Sequence, residues 1–179
     1  GFKNNFNIYF KNLNSVGKKD TEYKSTPQIE LMSVSELVTS LPLIKNNEIY
    51  TDYLTPKLSI KFNPSDMKNY SETNRPIRVD NIFNLNRLGL NDSFESGKSL
   101  TLGLDYRKEK LSDINKYFEV KLATVLRNDV ENFIPKTSTL NKKNSHLFGS
   151  LKNNFSDFFN IEYEFALDND YKNFDRNSI

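Results

Sequence analysis

The side chains with most chemistry to offer lie in one polar stretch, VDNIFNLNRLGLNDSFESGKSLTLGLDY, Val79 to Tyr106. Arg87 precedes Asp92 and Glu95 by spans that a folded loop can close, and a guanidinium facing a carboxylate makes a charge-assisted clamp. Gly89 and Gly97 permit positive-φ turns, while Asp and Asn side chains can cap their own backbone. That chemistry folds a segment onto itself and breaks no bond. Elsewhere the single histidine, His146, leaves a histidine-rich metal site and a serine triad short of parts, and is expected at a rim. Asp168 and Asp170 flank an Asn in LDNDYKN, yet the Gly and the distal Glu of a calcium loop are missing, so a solvated turn is expected. Glu162 and Glu164 share a strand face without any surrounding catalytic motif. No cysteine is present, which removes disulfides and thiolate chemistry. The residues thus point to no catalytic, cofactor or metal site, and to no enzyme.

The elements that must position these groups alternate with period two. Leu100, Leu102, Leu104 and Tyr106 oppose Thr101, Gly103, Asp105 and Arg107. Phe118, Val120, Leu122 and Leu126 oppose Glu119, Lys121, Ala123 and Arg127. Phe159, Ile161, Tyr163, Phe165 and Leu167 oppose Glu162 and Glu164, and Leu54, Leu58, Ile60 and Phe62 oppose Lys57, Ser59 and Lys61. Two segments alternate more loosely, around Phe6, Ile8 and Phe10 and around Leu147, Gly149 and Leu151. Between Gln28 and Leu41 the apolar parity switches at Leu31 and Met32, which predicts a bulge there or an irregular edge. No window sustains helical spacing, although short turns of helix fit Pro64 to Lys68 and Val79 to Asn86. The pattern predicts an all-β fold of about eight antiparallel, meandering strands of roughly nine to twelve residues, close to the roughly 9–11 that cross a bilayer at a tilt.

Polar gaps of long and short kind alternate along the chain, the longest about residues 63–97. A membrane barrel with short turns on one side and long loops on the other produces that order, since successive hairpin ends lie on opposite sides of the bilayer. The expected reading is a transmembrane β-barrel segment of a larger barrel, with Leu100, Leu102, Leu104, Phe118, Val120, Leu122, Phe159, Ile161 and Phe165 toward lipid. Thr101, Asp105, Arg107, Glu119, Lys121, Arg127, Glu162 and Glu164 would then face the lumen. A water-soluble antiparallel sheet also alternates, so a soluble β-sandwich binding module stays open. The balance of 25 basic and 23 acidic side chains, net +2, provides no single-sign field for nucleic acid. The chain begins with Gly1 and carries no leader pattern, and the expectation is an internal piece, residues 1–179, of one barrel domain.

The polar stretch resembles the barrel domain of the LptD family of lipopolysaccharide-assembly proteins. The residues that carry the likeness are Asp80, Asn81, Phe83, Asn86, Arg87, Gly89, Asp92, Glu95 and Gly97, followed by Gly103 and Tyr106. Upstream, YLTPKLSIKFNP, Tyr53 to Pro64, is similar to the strand that leads into the family's loop; Ser93 and Lys98 depart from it. The resemblance implies transport of lipopolysaccharide and its insertion into the outer leaflet of the cell outer membrane of a Gram-negative bacterium. The partners it implies are lipopolysaccharide, the outer-membrane bilayer, an LptE-like plug lipoprotein and a periplasmic bridge protein that docks on a domain outside this piece. A passive diffusion porin or a structural outer-membrane barrel is the alternative from another class.

Overall fold

A computed structural model of the chain describes residues 1–18, 25–170 and 172–178. Its strands are β1 (Lys3–Ser15), β2 (Gln28–Ser40), β3 (Leu43–Asn46), β4 (Tyr50–Asn63), β5 (Gly97–Lys110), β6 (Asp113–Arg127), β7 (Leu147–Ser156), β8 (Phe159–Leu167) and β9 (Phe174–Ser178). They form one antiparallel sheet in the order β1-β2-β4-β5-β6-β7-β8-β9, with β3 also paired to β4 and the sheet left open. The architecture is all-β, and the helical content among the described residues is one 3₁₀ turn at Lys136–Ser138. Where helical turns were expected, Pro64 to Lys68 is irregular and Val79 to Asn86 is a run of turns, tied by the Ile82 N–H to Arg78 O at 3.1 Å.

Nine strands replace the expected eight because one strand is broken in two. β2 leaves the ladder at Ser40, opposite Lys57, and β3 joins it at Leu43, opposite Leu54. Pro42 and Pro56 both fall at the gap, where Leu41 N–H still donates to Pro56 O at 3.1 Å, and neither proline has an N–H to give to a ladder. The bulge expected near Leu31 and Met32 is absent: β1 and β2 keep one register from Lys3↔Ser40 to Ser15↔Gln28. Parity never switches there. Ile29, Leu31 and Leu37 are exposed on one face, while Met32 and Val34 are buried on the other beneath Phe94 of the long connection.

Register places the alternating apolar residues on a common face. Phe6, Leu37, Ile60, Leu100 and Leu126 stand in one row across five strands, and Pro56, Leu104, Leu122, Gly149 and Phe165 in another. Several large side chains on that face are open, among them Phe6 at 64% and Ile60 at 48% exposure. The opposite face carries Ser59, Thr101, Val125, Ala123 and Phe148, all buried.

What buries them is the chain's own long connections. Residues 64–96 and 128–146 leave the same end of the sheet and fold back onto its face, bringing Met67, Ile77, Val79, Ile82, Leu88 and Leu90, with Ile134 and Leu140, against Ala123, Val125, Phe148 and Ala166. Burial of each such aliphatic side chain contributes about 1.5–3 kcal/mol, enough together to hold a long segment down. The opposite end has short turns after β3, β5 and β7.

Candidate functional site

The polar stretch is a self-closing lid pinned to the sheet, and the pins are its motif residues. Asn86 Nδ2 donates to Leu90 O at 2.8 Å and its Oδ1 accepts from Leu90 N–H at 3.0 Å, closing a turn in which Gly89 takes φ of 63°. Asn81 Oδ1 accepts from Arg78 N–H at 2.9 Å. Asp80 reaches down to Lys121 of β6 at 2.9 Å. Phe83 lies on Gly103 of β5, where an added Cβ would meet the ring at 2.6 Å, so only glycine leaves the notch. Gly97, with φ of 80°, turns the lid into β5.

Arg87 is the central pin. Its side chain has no solvent exposure, and its Nε and Nη2 hold both carboxylate oxygens of Glu95 at 2.7 and 2.6 Å. Nη1 donates to Thr101 Oγ1 at 2.8 Å and to Ile82 O at 3.3 Å, and Nη2 to Ser99 Oγ at 3.0 Å. The partner is Glu95 and not Asp92, which pairs with Lys68 Nζ at 2.9 Å and accepts the Tyr70 hydroxyl. Glu95 is shared with Arg127 of β6. Beneath lies a polar row, Glu36, Lys61, Ser99 and Arg127, aligned by register across four strands. Lys61 donates to Asn84 O in the lid and stands 3.5 Å from Glu36, which also accepts from Ser59 Oγ at 2.9 Å. Buried charges persist only when paired in this way.

The electrostatics follow from that geometry. Burial pushes the Glu95 carboxyl up, but Arg87, then Arg127 and Lys61, overcome it and hold it down at about 2. Asp92 is likewise below the usual carboxylate range, because the Tyr70 and Lys68 bonds outweigh its burial. A carboxyl depressed in the folded state adds stability above its ordinary value of about 4.3 and loses it as pH falls through its folded value. The lid is therefore expected to loosen between about pH 4.3 and 2, seen as pepsin cleavage rising within residues 64–96 across that window. Glu95→Gln should be cleaved readily at pH 5 and show a flatter rise below it.

Toward the short-turn end the same face stays polar and partly open. Asp105 pairs with Lys57. Arg107 lies 3.1 Å from Glu109 and 3.9 Å from Glu119, and Glu119 lies 3.3 Å from Lys121. Glu162 pairs with Lys152 at 3.2 Å and Glu164 with Arg78 at 3.3 Å. Asp80, Glu162 and Glu164 approach one another closely enough for a cation, yet each already holds a Lys or Arg, so they form a lattice of ion pairs. Thr101, Arg127 and the other polar-face residues thus share a face with two surroundings: Thr101 and Arg127 are sealed beneath the lid, and the rest line the open part.

His146, expected at a rim, directly precedes β7 at the long-connection end of the sheet and is buried there, with Nδ1 2.9 Å from the Asp175 carboxylate; burial lowers its pKa against the pull of that charge. Asp168 closes a turn, accepting from Lys172 N–H at 3.0 Å and Asn173 Nδ2 at 3.2 Å. Lys61, Glu36, Lys68 and Tyr70 enter the pinned lid although the motif contains none of them. The sequence signal for the lid is the set Ile77, Val79, Ile82, Leu88, Leu90 and Phe94, too apolar for a loop standing in water.

One sheet with an exposed apolar face, a polar face and every long connection at one end has the construction of a transmembrane β-barrel wall. The family model described as LptD: LPS transport system D matches residues 4–179, essentially the whole chain, and the chain belongs to that family. No curated protein matches the chain. The LptD family comprises β-barrel proteins of the Gram-negative outer membrane that serve lipopolysaccharide transport and assembly and are not enzymes.

Proposed function

We propose that residues 1–179 form part of one outer-membrane β-barrel domain that passes lipopolysaccharide to the outer leaflet of the cell outer membrane, the region about 63–97 being an external loop folded inward. The observation that carries the reading is the two-faced sheet: apolar and exposed on one side, charged and lid-covered on the other. The apolar face meets lipid, and the face bearing Thr101, Asp105, Arg107, Glu119, Lys121, Arg127, Glu162 and Glu164 meets the lumen. An amphiphile with a phosphorylated saccharide head needs this separation. The head group exchanges water for polar side chains while the acyl chains stay in apolar surroundings, so neither pays a desolvation penalty.

The partners that fit are an LptE-like plug lipoprotein within the barrel and a periplasmic bridge protein delivering lipid through a domain beyond this segment. A diffusion porin fits less well. Its constriction needs charges facing water, whereas Arg87 is buried against Glu95 and Lys61 against Glu36. A sandwich would need a second sheet over the apolar face, and the described strands form one sheet.

Single cysteines along Leu100 to Tyr106 in the full-length protein, in intact cells, test the orientation. A membrane-impermeant thiol reagent is expected to label Asp105, and Gly103 or Thr101 once the lid is opened by Arg87→Ala, with Leu100, Leu102 and Leu104 unlabelled. Equal labelling at both parities would contradict the reading.

A further inference from the structure

At the short-turn end, the apolar face ends in a pocket of about 370 Å³ with a basic, aromatic lining. Lys108, Lys110 and Lys116 line it together with Tyr50, Phe118 and Phe155. Register sets Tyr50, Lys108, Lys110 and Phe118 on the apolar face, since Tyr50 opposes Lys110, Lys108 opposes Phe118, and Phe118 opposes Asn153, two residues before Phe155; Lys116 reaches the pocket from the bulge that precedes Tyr117. Three lysines where a face otherwise turns toward hydrocarbon need a reason.

The concavity is built by an irregularity between β5 and β6. Glu109 pairs with Tyr117, but Lys110 pairs with Asp113, so Ile114, Asn115 and Lys116 are extra on the β6 side. Asn154 Nδ2 donates to Asn115 O at 2.7 Å and ties this bulge to β7. The lysine charge is mostly unspent. Neither Lys108 nor Lys110 has a carboxylate partner among the described residues, and Asp52, opposite Lys108, is taken by the Tyr106 hydroxyl at 2.8 Å. Lys116 meets Asp113 at 3.3 Å on the exposed rim. Lys108 Nζ lies 4.6 Å from the centre of the Tyr50 ring, which fixes the ammonium over the pocket. Phe155 stacks on Phe159 with centroids 5.5 Å apart, continuing an aromatic border along the strand ends.

We propose that this pocket binds the phosphate of an anionic glycerophospholipid in the leaflet at the short-turn end, held by Lys108, Lys110 and Lys116 with its glycerol and upper acyl carbons against Tyr50, Phe118 and Phe155. Aromatic rings border a barrel's lipid band at headgroup level, and clustered lysines there recognise anionic headgroups. The inference rests on the membrane orientation proposed above. A bound phospholipid at this rim would fix the depth of β5 to β7 in the membrane.

The test uses the full-length protein in its complex, reconstituted in vesicles, with Phe118→Trp as a reporter, Leu104→Trp as a mid-strand control and the parent's fluorescence subtracted. Brominated phosphatidylglycerol is expected to quench the Phe118→Trp reporter with an apparent affinity about fivefold or more above brominated phosphatidylcholine. The preference should vanish in the Lys108→Gln/Lys110→Gln/Lys116→Gln background and be absent at the Leu104→Trp control. Equal quenching by both lipids at the reporter, or a preference abolished by millimolar inorganic phosphate, overturns the lipid site. Absence of quenching at both reporters overturns the membrane orientation itself.

Discussion

Replacing Arg87 by Ala in the full-length protein is expected to release the lid while leaving the strands assembled. Arg87 is buried and donates to Glu95, Thr101, Ser99 and Ile82, so its loss strands several buried acceptors at once. Removing one partner of a buried ion pair costs about 3–5 kcal/mol, chiefly because the remaining charge stays desolvated. Here Arg127 and Lys61 still face Glu95, which moderates the effect toward the lower end of that range. The docked state then competes poorly with an open one in which Glu95 meets water. The strands are unaffected because their ladder hydrogen bonds do not pass through the lid. The expected readouts are normal barrel abundance, faster protease nicking between Asn63 and Gly97, and a leakier outer membrane. Unchanged nicking would remove the clamp, and failure to assemble would place the motif's role in folding.

The second large effect belongs to the apolar face. Leu122 lies at mid-strand in the row with Pro56, Leu104, Gly149 and Phe165, and among the described residues no second layer packs on that face. If lipid covers it, Leu122→Arg puts a guanidinium near the bilayer midplane and lowers barrel stability by about 2–4 kcal/mol. The neighbouring Lys121→Arg, on the other face, keeps its charge beside Asp80 and Glu119 and is expected to be nearly silent. Urea titrations of the two variants in the same lipid check the order. Greater sensitivity at Lys121 would mean that the apolar face is not the lipid face.

Most of the sheet was legible because its chemistry is local. Leu100 to Tyr106 and Phe118 to Leu126 alternate almost without error, the exceptions being Thr124 on the apolar parity and Ala123 and Val125, which meet the lid on the other, and strand pairing follows from that pattern and from short turns. The β2 region misled because parity assumes that only one face is apolar. Met32 and Val34 turn inward to meet Phe94, a contact across a long sequence gap that no local pattern reports. The break at Pro42 and Pro56 was missed for a related reason, since two prolines far apart in sequence matter only once register sets them together. In the lid, the motif gave Arg87 and its candidate acids, while the choice of Glu95 over Asp92 depended on Lys68 and Tyr70 claiming Asp92 first. Likewise Lys61 and Glu36 entered the network through the ladder and not through any motif. The burial of His146 was not legible because a lone histidine carries no pattern, and the connection of residues 128–146 in which it lies folds by non-local apolar contacts.

Passage of lipopolysaccharide along the polar face is tested most directly by photocrosslinking in growing cells. A benzophenone amino acid is placed in the full-length protein at Glu119 and Lys152 on the polar face, and at Phe118 and Asn153 beside them on the apolar face. These positions lie near the short-turn end, away from the outer leaflet in the proposed orientation, so resident lipopolysaccharide does not reach the apolar pair. Lipopolysaccharide adducts are expected at Glu119 and Lys152 and none at Phe118 or Asn153. Adducts confined to Phe118 and Asn153, or none at any of the four in cells that export lipopolysaccharide normally, would contradict passage along the polar face.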